Sequence, residues 1–64
     1  MDQWRVHDLA RIKTGRYAGG VGRVVEVLTS AGGVRVRVHL QGVIGGEVVD
    51  RVQSFAAGQV ERNQ

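Results

Sequence analysis

Residues 34–40 read Val-Arg-Val-Arg-Val-His-Leu, an alternation of apolar and polar side chains with no interruption. A repeat of two belongs to a β-strand whose faces meet different surroundings, whereas a helix would scatter these valines around its whole circumference. Val34, Val36, Val38 and Leu40 therefore make an apolar face, and Arg35, Arg37 and His39 a basic face that meets solvent or a partner. No window of the chain sustains apolar residues at i, i+3, i+4 and i+7 over ten or more positions. Valine is abundant, there are ten glycines and no proline, and this composition suits short strands joined by tight turns.

The other segments extend that reading. Leu9 to Lys13 is expected as a first strand with Ala10 and Ile12 facing inward. Arg23 to Leu28 is expected as a second, and because simple alternation cannot bring both Val24 and Val27 to one face, a bulge is expected between them. Thr29 to Gly33 reads as a hairpin connection and Gln41 to Gly46 as a second glycine-rich connection. Glu47 to Phe55 reads as the next strand, with Val48, Val52 and Phe55 as inward residues. Ala56 to Gln59 is expected to form a single helical turn, and Val60 to anchor a last short strand. Met1 to Gln3 reads as a frayed end, and Trp4 as a lid on the core, with a stacking platform for a ligand as the alternative. Strands this short, with no helix to cover a sheet, must bury their apolar sides on one another. The expected fold is one all-β domain over residues 1–64, a small five-stranded SH3-like barrel with a single helical turn before the last strand, closed or nearly so because closure removes exposed sheet edges.

Length and composition limit the chemistry. A chain of 64 residues buries only about 60% of the surface its unfolded form exposes, which makes it marginal unless it oligomerises. Without cysteine, and with only His7 and His39, neither a disulfide framework nor a structural zinc site is expected. No run approaches the roughly 20 apolar residues that span a bilayer, and the N-terminus lacks the form of a secretory signal, so a cytoplasmic protein is expected. A formal charge of +3 leans toward an anionic partner. Ser30 and Ser54 have no neighbouring base and the carboxylates are scattered singly, so no catalytic residues and no cofactor are expected.

The candidate site lies between the first two strands. Gly15, Gly19, Gly20 and Gly22 crowd eight positions, and Lys13, Arg16 and Arg23 give the same stretch a concentrated positive charge. Three such cations could neutralise two or three phosphates, the amides of Gly19 and Gly20 could approach an anion, and Tyr17 could stack on a base. Arg35 and Arg37, about 7 Å apart along one side of a strand, match the separation of successive phosphates and could assist. The cluster is no Walker loop, since it lacks the Gly-Lys-Ser/Thr ending.

Asp8-Leu9-Ala10-Arg11-Ile12, followed by Gly15, Gly19, Gly22, Arg23 and Val24, resembles the KOW motif of a large-subunit ribosomal protein and of transcription elongation factors. The likeness covers His7 to Leu28 and implies two strands and their connecting loop in an SH3-like barrel. It also implies that Gly22 is the motif's characteristic glycine, that Asp8 is the acid of its Gly-Asp opening, and that Lys13, Arg16, Tyr17 and Arg23 approach phosphates. His7 stands where that family usually has glycine, and Ala18 and Gly20 where its ribosomal members often have lysine, so this loop is less basic than theirs.

A second stretch, Val52-Gln53-Ser54-Phe55 followed by AAGQVER, is similar to the pore-lining and closing segments of the plasmid-encoded, trimethoprim-resistant dihydrofolate reductases, in which four chains enclose one catalytic pore. Here Ile12 stands where the pore lysine of that family is expected, and Ser54 and Phe55 replace its Ile and Tyr. The resulting expectation is a non-enzymatic binding module that contacts RNA or a ribonucleoprotein through residues 13–23. A module for a protein partner or for self-assembly, and a tetrameric reductase-like pore, are the alternatives.

Overall fold

A computed structural model describes residues 3–63 of the chain. Met1 and Asp2, part of the expected frayed end, lie outside the described residues. Five strands follow one another: β1 (Leu9–Ile12), β2 (Val21–Ser30), β3 (Gly33–Ile44), β4 (Glu47–Ala56) and, after a 3-10 turn at Ala57–Gln59, β5 (Val60–Arg62). They form one antiparallel sheet in the order β4-β3-β2-β1-β5. The expected all-β, five-stranded architecture with a helical turn before the last strand is therefore what the chain adopts.

The connection between β4 and β5 explains why this sheet curls. The two strands are its opposite edges, four strand spacings or about 19 Å apart if the sheet were flat. Only Ala57–Gln59 link them, and a 3-10 turn rises about 2 Å per residue. The sheet must roll until its edges approach, which encloses Ala10, Ile12, Val24, Val36, Val38, Leu40, Val49, Phe55 and Val60 as the core. The roll stops short of full closure, since no ladder joins β4 to β5 among the described residues. The turn is tied down at both ends: the Gln59 side chain accepts the Ala56 N–H at 3.0 Å and the Gln59 carbonyl accepts the Lys13 N–H at 2.8 Å.

Ala10 and Ile12 are fully buried and face inward as expected, and the ladder between β2 and β3 shifts register between Val24 and Glu26. That bulge lets Val24 reach the core and Val27 pack against it. Val36, Val38 and Leu40 are buried, while Val34 lies past the edge of the core and is exposed.

Two expectations for the second half of the chain are corrected. Gln41–Ile44 is not a connection but the continuation of β3, in unbroken register with Glu47–Asp50. The turn is only Gly45-Gly46, both at positive φ (60° and 85°), the pairing that a two-residue hairpin loop demands. On β4 the inward residues are Val49 and Phe55, whereas Val48 is 86% exposed and Val52 43%. Counting back by twos from Phe55 gives Gln53, Arg51 and Val49, so the strand alternates regularly and its even-numbered valines line the outer face. The β3–β4 hairpin runs on beyond the core, and the molecule is correspondingly long, 35 × 20 × 17 Å.

Candidate functional site

The loop between β1 and β2 is closed by its own backbone. The Ile12 N–H donates to the Gly20 carbonyl at 2.9 Å and the Gly19 N–H to the Ile12 carbonyl at 2.8 Å; the Gly20 N–H reaches the Tyr17 carbonyl at 2.9 Å and the Ala18 N–H the Gly15 carbonyl at 3.1 Å. The amides of Gly19 and Gly20, expected to face an anion, are thus already spent on holding the loop together. Gly15 and Gly19 adopt positive φ (90° and 88°).

Gly20 and Gly22 serve a different purpose, which is close approach. A Cβ at Gly22 would stand 2.3 Å from the His39 carbonyl oxygen and 2.7 Å from a Val38 methyl, and one at Gly20 would stand 2.7 Å from the Ile44 side chain. Both glycines are buried. They let β2 lie flush on β3 and the loop lie flush on the hairpin, and they are packing residues rather than ligand contacts.

Tyr17 packs its ring against the core, accepts a hydrogen bond from Arg51 at its hydroxyl (2.9 Å), and carries the Arg16 guanidinium 5.7 Å from its ring centroid. It is therefore a strut between the loop and β4, and a base could stack on it only after displacing Arg16. Arg16 also reaches Glu47 across 3.7 Å, with both side chains about 70% exposed, a geometry worth little in water. Together with Val48, Val49 and Asp50 these residues line a small cleft of about 250 Å³ between loop and hairpin. Its charges are mixed, two arginines against two carboxylates. Arg51 is not legible as a member from the sequence, because reading Val48 and Val52 as inward turns Arg51 outward, although Phe55, read as inward, shares its face.

Arg23, Arg35 and Arg37 lie elsewhere, on the outer face of the sheet. Arg23 stands opposite His39, and Arg37 and Arg35 follow two and four residues back along β3, a row with a spacing of about 7 Å. The candidate residues thus divide between a cleft and a sheet face, joined by the short run from Gly20 to Arg23. Within the row, Arg37 pairs with Glu26 at 3.2 Å, His39 with Asp50 at 2.7 Å, and Arg35 donates to the Ser54 hydroxyl at 3.1 Å. Comparison with protein-family models, curated proteins and solved structures finds no match to this chain.

All five described carboxylates are engaged. Asp8 pairs with Arg62 at 2.7 Å, Glu61 with Arg11 at 2.6 Å, and Glu26, Glu47 and Asp50 with the cations named above. Among the described residues Arg5, Lys13, Arg23, Arg35 and Arg51 have no carboxylate partner for their side chains. The Asp8 carboxyl is held below the usual carboxylate range, first by the Arg5 N–H it accepts at 2.9 Å and then by Arg62, against the opposing effect of burial.

At the other end of the sheet, Trp4 packs against the core as the expected lid, with Arg62 5.0 Å from its ring centroid. It forms one wall of an open groove of about 750 Å³ with Val27, Val34 and Ala57. Ile12 is 1% exposed, so the position corresponding to a pore lysine is buried in the core enclosed by the curled sheet. Ser54 bonds Arg35 on the outer face while Phe55 is buried, so adjacent residues of that stretch point to opposite sides. No group of three or more His, Asp or Glu able to hold a metal occurs among the described residues, and no helix is long and apolar enough to cross a membrane.

Proposed function

We propose that this chain is a small non-enzymatic module that binds RNA along the outer sheet face, over Arg23, Arg37 and Arg35, with Lys13 and Arg16 of the glycine-rich loop at one end of the track. The observation that carries this reading is the imbalance of pairing: the described carboxylates are all occupied, and the cations left without one include Arg23 and Arg35 on the face and Lys13 at the loop. A regular strand supplies the spacing. Side chains two residues apart on β3 repeat at about 7 Å, within reach of consecutive phosphates of an extended strand. The resemblance of residues 7–28 to the KOW motif supports the same partner class. The packed condition of Tyr17 places the weight of binding on charge rather than stacking, so affinity is modest and salt-sensitive.

Titration of a single-stranded and a structured RNA at low and moderate salt tests the reading. With about three phosphate contacts, log K against log salt should have a slope of roughly −2 for a single strand. Replacing Arg23 and Arg35 by Gln should flatten that slope by more than half. Binding that ignores salt, or that survives neutralisation of Arg16, Arg23 and Arg35 together, refutes the reading.

A further inference from the structure

β4 is an edge strand of ten residues, Glu47–Ala56. Its other side, away from β3, has no ladder among the described residues, and three of the devices that blunt such an edge are missing. The strand contains no proline and no lysine, and its pairing with β3 runs from Arg35↔Ala56 to Ile44↔Glu47 without a bulge. Long, straight, unprotected edges are templates for another strand. The opposite edge, β5, is only three residues long and carries two charged side chains.

The residues of β4 also say which strand would fit. Val48 and Val52 are exposed on the outer face although they are apolar, and Val43, directly opposite Val48, is 72% exposed. We infer that β4 pairs with β4 of a second copy of this chain, antiparallel about a two-fold axis through Val52. In that register Val52 meets Val52, Asp50 meets Ser54, and Val48 meets Ala56 on the outer face, while Val49 meets Phe55 and Arg51 meets Gln53 on the inner. No like charges oppose each other, and apolar residues meet apolar residues across residues 48–56. Moving the axis by one residue toward the N-terminus sets Arg51 against Arg51, and moving it by two sets Asp50 against Asp50; like charges directly opposite are destabilising. The axis is perpendicular to the sheet, so outer face continues into outer face, as a self-complementary interface requires.

A dimer of this kind relieves two strains on the isolated chain, its small core and its uncovered valines. Sedimentation equilibrium of the full chain, which needs no RNA and so fails or succeeds independently of the binding reading, should give twice the chain mass at micromolar to millimolar concentration. Val52→Lys sets two cations against each other at the axis. It should weaken the dimer by at least about 100-fold while leaving a cooperative unfolding transition, since this side chain points out of the core. The chain has no native cysteine, so Val52→Cys should cross-link to itself under mild oxidation and Val48→Cys should not. A monomer at every concentration overturns the proposal, as does a dimer that tolerates Val52→Lys or one in which Val48→Cys cross-links as readily as Val52→Cys.

Discussion

His7 shows how much a single dihedral angle can matter. It is the one residue other than glycine with positive φ among the described residues, at 80°, and it occupies the third position of the Arg5–Asp8 turn. That turn is closed by the Asp8 N–H donating to the Arg5 carbonyl at 3.1 Å and the Arg5 N–H donating to the Asp8 carboxylate at 2.9 Å. A turn with positive φ at its third position favours glycine, and holding an L side chain there costs on the order of 1–2 kcal/mol. Replacing His7 by Gly removes that cost and returns about 0.5–1 kcal/mol of it as extra unfolded-chain entropy. The net expectation is a gain of up to about 1 kcal/mol in urea unfolding, and a loss of stability would mean that the imidazole makes contacts that outweigh the strain. His7 also departs from the usual glycine of the KOW resemblance, so the oddity was visible in the letters while its cause was not.

At the level of the element, β4 is where sequence reading and structure part. Seen alone, Glu47–Phe55 has valines on both faces, and hydrophobicity cannot choose between them. The ladder with β3 chooses, because Val36, Val38 and Leu40 already define the inner side and Val49 lies opposite Gly42 on that side. Val49→Ala should therefore cost about 1–2 kcal/mol as a core truncation. Val48→Ala, at a side chain almost wholly in solvent, should stay within about 0.5 kcal/mol in the concentration range where the chain is monomeric. Equal losses at the two positions would place the strand in the opposite register. β3, by contrast, was readable because its alternation is strict, and the bulge in β2 because Val24, Val25 and Val27 cannot satisfy a single period.

For the molecule as a whole, Arg62 fastens the N-terminal segment to the last strand. It donates to the Asp8 carboxylate and the Gln3 carbonyl and lies over Trp4, so residues far apart in the chain share one contact. The folded state keeps Asp8 ionised to lower pH than an unfolded chain does, so the stabilisation is fully present above the ordinary carboxylate value of about 3.9 and is lost as pH falls below it through the depressed folded value. Asp8→Asn should unfold more readily than the parent chain at pH 7, and the gap between the two should close as pH falls toward 2. Urea midpoints across that range measure it; a gap independent of pH would mean that the carboxylate's charge contributes nothing.

The linear chain determined the class of fold and the place of the basic loop, because strand periodicity, glycine clustering and charge are local properties written in neighbouring residues. Only the tertiary structure decided which face of β4 is buried, that Gly20 and Gly22 are spacers beneath other strands, and that Arg23 shares a surface with Arg35 and Arg37 rather than with Tyr17. Each of these depends on what lies across the sheet, from seven (Val49 and Gly42) to twenty-four (Gly20 and Ile44) positions away in sequence, and no local pattern encodes the identity of a neighbour brought there by the curl of the sheet.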